Sequence, residues 1–129
     1  MEAAAAARRI TVLIADDHHL FAEALEAILA TDSRIEVVGH ARNGHEAVER
    51  ARDLQPDVVL MDISMPVMDG VDATRVIREE WPRACVLMLT GSNSRTDVDR
   101  SRRAGAAGYV TKDRIAAELI DAIVEVALR

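Results

Sequence analysis

The sequence has almost no aromatic residues: one Phe, one Tyr and one Trp make up 2% of its 129 residues. So few rings argue against a module that binds a flavin-type cofactor. No loop rich in glycine or hydroxyl side chains follows the first apolar run, where such a module would hold phosphate. A colourless purified protein would set this class of cofactor-binding domain aside.

Cysteine is represented by Cys85 alone. The chain therefore cannot form an internal disulfide, and it lacks the cysteine spacing of a zinc site. Because Cys85 lies within an apolar run, we expect a buried structural thiol, which is compatible with a reducing cytoplasm. His18 and His19 could bind zinc beside the acidic pair that precedes them, but a pair of histidines at a helix start is the more ordinary interpretation.

Long apolar runs are also missing, since none approaches the ~18 residues of a membrane span. Arg8 and Arg9 do not form a twin-arginine export signal, because the apolar run 10–15 that follows them is too short. We expect residues 1–8 to be a disordered tail and residues 9–129 to form a single domain.

Positive charge is scarce, and the formal net charge is -6. This balance argues against binding of a nucleic-acid backbone by this segment, which would need a basic face. Of the 16 basic residues, fifteen are Arg and only Lys112 is Lys. A compact ammonium suits a tight phosphoryl site better than a planar guanidinium does.

Apolar runs and amphipathic segments alternate five times with short connections, which predicts a parallel α/β sheet with helices on both faces. Right-handed crossovers favour the strand order 2-1-3-4-5, which is the flavodoxin-like doubly wound arrangement with five helices. The predicted strands are 10–15, 35–41, 57–62, 84–89 and 107–111. The predicted helices are 18–30, 43–54, 71–81, 93–103 and 114–128, with Asn43 and Asp113 as caps.

Three carboxylates follow strands that this topology makes neighbours. Asp16 and Asp17 end the first strand, and Asp62 ends the third, at the switch point where such sheets bind ligands. Two unit charges 4 Å apart repel by roughly 4 kcal/mol at an effective dielectric of 20, so a proton or a cation must join them. Mg²⁺ suits these oxygen ligands, and Mn²⁺ would also fit. A solvated acidic turn, with Asp62 as a turn cap, is the alternative.

Two further polar residues end the remaining strands. Thr90 follows the fourth strand and Lys112 the fifth, so both should border the same crevice. A hydroxyl can donate to a phosphoryl oxygen, and an ammonium can neutralise one. Gly91, beside Thr90, leaves room for such a group to approach.

Taken together, these residues resemble the receiver domain of two-component response regulators. Receivers share the expected strand order, so the topology and the resemblance are not independent. The resemblance covers about Ile10 to Leu128, and it is specific only as a set. It rests on Asp16-Asp17, Asp62, Met65-Pro66, Asp69-Gly70, Thr90 and the segment GYVTK from Gly108 to Lys112.

The resemblance implies that Asp62 accepts a phosphoryl group from a phosphohistidine on a sensor histidine kinase. It implies that Thr90 and Lys112 bind that group, and that Tyr109 is the aromatic switch residue. The chain would then be no enzyme beyond catalysing its own aspartyl phosphorylation and dephosphorylation.

The same resemblance implies a set of metal ligands. Asp17 would ligate Mg²⁺ directly and Asp16 would assist through water. Asp62 and the backbone carbonyl of Ser64 would complete the protein's contribution.

Asp113 departs from the proline that most receivers have after the lysine, which puts a cis peptide there in doubt. Asp16-Asp17-His18 and Lys112-Asp113 resemble the subfamily with a LuxR-type helix-turn-helix output domain. DNA binding would then need an output domain absent from residues 1–129. A stand-alone receiver that acts through protein contacts is the alternative.

Two questions stay open at this point. Ile120, Val124 and Leu128 lie partly off the core face of the last helix, and they form either a wide core stripe or a homodimer surface.

A small aspartyl phosphatase of the haloacid dehalogenase type would want a second Asp at Ser64. A cobalamin site would want Gly at Phe21, and a pseudo-receiver would lack an acidic position that this chain retains.

Overall fold

The computed structural model describes residues 8–91 and 94–129, and within them five strands alternate with five helices. The strands are β1 (Ile10–Ala15), β2 (Ile35–Ala41), β3 (Val58–Asp62), β4 (Cys85–Thr90) and β5 (Gly108–Thr111). The helices are α1 (His19–Leu29), α2 (Gly44–Leu54), α3 (Gly70–Glu80), α4 (Arg95–Ala104) and α5 (Ile115–Ala127). A short 3₁₀ turn, Lys112–Arg114, precedes α5.

The strands form one parallel sheet in the order β2-β1-β3-β4-β5, which confirms the predicted topology. In register, Ala15 of β1 lies beside Met61 of β3, and Asp62 lies beside Leu89 of β4. Thr90 pairs with Thr111 of β5. The carboxyl ends of the four strands that carry the candidate residues therefore meet at one edge of the sheet.

Alternate strand residues point to two separate apolar layers. Val12 and Ile14 face the layer built with α1 and α5, whereas Leu13 and Ala15 face the layer built with α2, α3 and α4. The central strand β3 is buried along its whole length. This explains why its sequence is a continuous apolar run and not an alternating one.

Side-chain caps fix the starts of three helices. Asn43 caps α2, as predicted, by accepting a hydrogen bond from the Glu46 amide. Asp69 caps α3 by accepting from the Asp72 amide, and Ser94 caps α4. Asn93, the predicted start of that helix, lies outside the described residues. Each cap satisfies a backbone donor that the helix itself cannot pair.

The prediction that Asp113 caps the last helix was wrong. Residues Lys112–Arg114 form a 3₁₀ turn, and α5 begins at Ile115 without a side-chain cap. The tighter turn places Asp113 inside it instead of at a helix start. The described residues include no cis peptide bond, so the link from Lys112 to Asp113 is trans.

Burial differs from the prediction at Cys85, whose thiol was expected to be buried. Cys85 is only half-buried, because it begins β4 at the rim of the sheet, where its thiol approaches the Val126 carbonyl at 3.5 Å. Leu54 is 40% exposed at the end of α2. Phe21 on α1 and Val76 on α3 are half-buried.

Among the described residues, no helix combines the length and the apolar character that crossing a bilayer requires. Of the predicted disordered tail, residues 1–7 lie outside the described residues. Arg8 donates a hydrogen bond to Asp57 at 3.1 Å.

Candidate functional site

Three carboxylates gather where β1 and β3 end. Asp16 and Asp62 are 2% and 3% exposed, whereas Asp17 lies at the surface. One side-chain ligand atom from each of them, together with one from His18, lies within 4.8 Å of the others. Neighbouring parallel strands thus bring together the acidic residues that the sequence placed at their ends.

Lys112 brings a positive charge to this cluster from the end of β5. Its ammonium nitrogen lies 3.5 Å from Asp62 Oδ1 and 3.8 Å from Asp16 Oδ2. The same nitrogen stands 4.5 Å from the centroid of the Phe21 ring on α1. A carboxylate pair on one side and an aromatic face on the other therefore hold the ammonium in place.

Burial and neighbouring charges shift the pKa of Asp62 in the acidic cluster. Burial raises the pKa of Asp62 above its ordinary value, and the Asp16 carboxylate raises it further. The Lys112 ammonium and the Ser64 backbone amide oppose this rise without cancelling it. Burial and the neighbouring carboxylate thus disfavour the ionised form of Asp62.

Two buried oxygens in the cluster have no hydrogen-bond partner among the described residues: Asp16 Oδ2 and Asp62 Oδ2. Buried carboxylate oxygens are ordinarily paired, because desolvation without compensation costs free energy. A divalent cation bound by oxygen ligands would compensate both. The donor set therefore fits a hard ion such as Mg²⁺.

The other predicted site residues lie at the same edge or near it. Thr90 is buried at the end of β4, next to the strand that carries Asp62. Ser64 is exposed in the loop that follows Asp62. Tyr109 is 44% exposed on β5, where it pairs with Met88, two residues before the end of β4. The structure thus brings Lys112 and the carboxylates together, whereas Tyr109 stands at the surface.

The loop from Asp62 to α3 folds back tightly over the end of β3. The Gly70 amide donates to the Ile63 carbonyl at 2.8 Å, and a Cβ at Gly70 would collide with the Asp62 carbonyl oxygen. Val67 in this loop has a φ of 71°, a left-handed conformation that β-branched residues rarely adopt. The close approach explains the Asp69-Gly70 pair, since residue 70 has no room for a side chain.

Sequence reasoning missed one contact and undervalued another. Periodicity carried no signal that the Phe21 ring on α1 would lie beside Lys112. His18 was weighed as a zinc ligand together with His19, and a pair of histidines at a helix start was the preferred interpretation. In the structure the two histidines diverge: His18 joins the acidic cluster, and His19 pairs with Glu23 along α1 at 2.9 Å.

A cavity of about 620 Å³ lies at the opposite edge of the sheet, where β3 and β4 begin. Its lining includes Trp81, Cys85 and Val126. The convergent carboxylates and Lys112 lie at the other edge. The switch-point edge is therefore the better candidate for chemistry.

Comparison with known proteins shows what this chain is similar to. LnrK, a transcriptional regulatory protein of Bacillus subtilis, is 39% identical over 117 residues, covering 91% of this chain and 53% of LnrK. The chain spans about half the length of the curated relatives it matches.

Solved structures show the same fold. The signal receiver domain of the putative response regulator NarL from Mycobacterium tuberculosis has a TM-score of 0.89 and 31% identity, covering 94% of this chain and 98% of that one. The CheX-CheY-BeF3-Mg+2 complex from Borrelia burgdorferi contains a chain with a TM-score of 0.87 and 26% identity, covering 95% and 92%. The response regulator receiver domain family matches residues 12–124. The chain belongs to the response regulator receiver domain family of two-component signalling.

Proposed function

We propose that this domain is a phosphorylation-dependent switch in which Asp62 accepts a phosphoryl group from a phosphohistidine on a sensor histidine kinase. One observation carries the proposal. Asp62, a buried carboxylate at the switch point of the sheet, lies 3.5 Å from the ammonium of Lys112, the chain's one lysine. A nucleophile and a charge that balances an incoming phosphoryl group are thus already adjacent.

Mg²⁺ is the proposed cation, and Mn²⁺ would also fit. Asp17, Asp16, Asp62 and the Ser64 carbonyl would hold it, and it would neutralise charge on the transferred group. The oxygens of Asp16 and Asp62 that have no hydrogen-bond partner among the described residues support this assignment. The related CheX-CheY structure, a complex with BeF3 and Mg²⁺, gives further support.

In the proposed transfer, an Asp62 oxygen attacks phosphorus while the phosphorus–nitrogen bond of the donor breaks. The departing imidazole takes the electron pair of that bond. Lys112 balances the charge that the phosphoryl oxygens bring into the buried site. Such reactions depend mainly on positioning and charge neutralisation, which this arrangement supplies.

Thr90 and Tyr109 are proposed to change position when Asp62 is phosphorylated. The Thr90 hydroxyl would turn towards the new oxygens, and the exposed Tyr109 ring would move into the space it leaves. Moving a two-state equilibrium from 1:99 to 99:1 takes about 5.5 kcal/mol. Hydrogen bonds to charged groups are worth about 1.5–3 kcal/mol each, so Thr90 and Lys112 together could supply much of it.

The output is proposed to be transcription regulation in a longer protein with a LuxR-type DNA-binding domain. The name of LnrK, a transcriptional regulatory protein, and the part of it, nearly half, that lies outside the match support transcription regulation by a longer protein. A stand-alone receiver that acts through protein contacts is the alternative. A homodimer through α5 stays a prediction; on that helix Ile120 and Val124 are half-buried, and Leu128, directly after it, is 74% exposed.

The test is incubation with acetyl phosphate and Mg²⁺ followed by intact mass. We expect one added phosphoryl group on the wild type and none on Asp62→Ala. Asp53→Asn is the matched control, because it removes an exposed carboxylate on α2 and should label like the wild type. Labelling that persists in Asp62→Ala would refute the nucleophile assignment.

A further inference from the structure

We propose that His18 is a ligand in the acidic site, and that its ring nitrogen makes the site prefer Mn²⁺ and later first-row transition ions to Mg²⁺. The proposal rests on the cation site proposed above. His18 Nδ1 lies 3.3 Å from Asp16 Oδ1 and 3.3 Å from Asp17 Oδ1. A cation held by both carboxylates would therefore meet this nitrogen as well.

The backbone fixes where His18 stands. Its amide donates to Asp16 Oδ1 at 2.8 Å, which ties the residue to the carboxylate that it would assist. The side chain itself is 66% exposed, so its ring can reorient to face a cation. Ligation through Nδ1 would leave the ring proton on Nε2.

The site is more than a group of acidic residues. The side chains of Asp16 and Asp62 are 0% and 4% exposed, and each has an oxygen without a hydrogen-bond partner among the described residues. One ligand atom from each of these two side chains lies within 4.8 Å of one from His18 and one from Asp17. The buried carboxylates of Asp16 and Asp62 and the exposed ring of His18 thus lie around one candidate cation position.

A nitrogen ligand changes which ion binds best. Mg²⁺ is a hard ion that favours oxygen ligands and keeps several waters. Imidazole suits transition ions, whose affinity for mixed nitrogen and oxygen sites generally rises from Mn²⁺ towards Cu²⁺. A site with three carboxylates and one imidazole should therefore favour Mn²⁺ over Mg²⁺ more strongly than a site made only of oxygens would.

His19 provides a matched control. It is the next residue in the chain and also exposed, but its Nε2 lies 2.9 Å from Glu23 on the surface of α1. The His18 side chain makes no capping hydrogen bond to α1, so replacing it should leave the helix start intact. Any difference between the two variants would report the acidic site and not the loss of a histidine.

The experiment is calorimetric titration of the wild type, His18→Ala, His18→Asn and His19→Ala with MnCl2 and with MgCl2. We expect His18→Ala to weaken Mn²⁺ binding by at least about tenfold, since even groups that only support metal ligands change affinity by about 10–100-fold. Mg²⁺ binding should change much less. His18→Asn, which offers an amide oxygen, should keep Mg²⁺ binding and lose the preference for Mn²⁺. His19→Ala should match the wild type.

A spectroscopic readout is independent of affinity. Electron spin-echo modulation of bound Mn²⁺ should show coupling to a ¹⁴N nucleus in the wild type and in His19→Ala, and none in His18→Ala. Absence of ¹⁴N coupling in the wild type, or an equal loss of Mn²⁺ and Mg²⁺ binding in His18→Ala, would overturn the role of His18. In that case, labelling of Asp62 with Mg²⁺ would show that the proposed function still stands, whereas failure of the wild type to bind either ion would overturn both.

Discussion

The ammonium of Lys112 lies 4.5 Å from the centroid of the Phe21 ring, so a residue after the last strand rests on the first helix. This contact connects α1 to the turn that follows β5, beside the acidic site. The ring face attracts the cation and limits where the lysine side chain can swing. Phe21 is therefore a positioning residue in the proposed transfer.

Replacing Phe21 by Leu should slow phosphorylation without abolishing it. A cation–π contact at a partly desolvated site is worth about 0.5–2 kcal/mol, and 1.36 kcal/mol corresponds to tenfold in rate. We expect the labelling rate with acetyl phosphate to fall by about two- to tenfold, measured by intact mass over time.

Leu20→Ala controls for this change, because Leu20 is the adjacent residue on α1 and is 79% exposed. It should label at the wild-type rate. A Phe21→Leu variant that is folded by circular dichroism and labels as fast as the wild type would show that the ring does not position Lys112.

Asp62→Asn should stabilise the domain in the absence of divalent cations. Burial and then Asp16 raise the pKa of Asp62, so the folded state disfavours the ionised carboxylate. The stability tied to the protonated form is present below the ordinary value of 3.8 and is lost as pH rises through the raised folded pKa. At neutral pH the neutral amide avoids this loss.

We expect a gain of about 1–3 kcal/mol in urea unfolding at pH 7 with EDTA, the range for uncompensated buried polar groups. The gain should shrink as the pH approaches 3.8, where the wild-type carboxyl also becomes neutral. Mg²⁺ should raise the melting temperature of the wild type more than that of Asp62→Asn. A variant less stable than the wild type at pH 7 would contradict the electrostatic argument.

At the opposite edge of the sheet, Thr11 and Asp57 tie β1 to the start of β3. The Thr11 hydroxyl accepts from the Asp57 amide at 2.9 Å and donates to Asp57 Oδ2 at 3.1 Å, and the Thr11 amide donates to the same oxygen at 2.8 Å. Burial alone would raise the pKa of Asp57, but these hydrogen bonds and the one from Arg8 outweigh it and lower the pKa.

Thr11→Val keeps the shape of residue 11 and removes two of these hydrogen bonds. We expect a loss of about 1–2 kcal/mol in the free energy of unfolding at pH 7, because the Asp57 amide loses its acceptor. Since the folded pKa of Asp57 is lowered, its stabilisation is present above the ordinary value of 3.8 and is lost as pH falls through the folded pKa. The difference between the two proteins should therefore narrow in acid.

Much of the fold followed from the sequence, and the exceptions have physical causes. The alternation of apolar runs with amphipathic segments predicted the strand order, because parallel strands with right-handed crossovers allow few topologies. It did not predict the 3₁₀ turn after Lys112, since a capped α-helix and a 3₁₀ turn share the same local residues. Periodicity could not predict that the Lys112 ammonium lies over the Phe21 ring, because that contact joins segments distant in the chain.

Gly70→Ala tests the tight closure of the loop over Asp62. In an exposed helix interior, Gly to Ala would stabilise by about 0.5–1 kcal/mol. Here the added Cβ would meet the Asp62 carbonyl oxygen and lie 2.9 Å from Met61 Cγ, so the backbone of the site must shift. We expect destabilisation by about 1–3 kcal/mol, the usual range for overpacking, together with slower labelling of Asp62.

Gly91→Ala is the matched control for this closure. It too lies at the carboxyl edge of the sheet, but a Cβ there has no neighbour within 4 Å among the residues described. Its stability should stay within about 0.5 kcal/mol of the wild type, as is usual for surface substitutions. If Gly70→Ala also stays within that range in urea unfolding and labels Asp62 at the wild-type rate, neither stability nor labelling depends on the close approach of residue 70 to the Asp62 carbonyl. If Gly70→Ala loses both stability and labelling rate while Gly91→Ala keeps its stability, the close packing of residue 70 against the Asp62 carbonyl is what holds the backbone of the site in place.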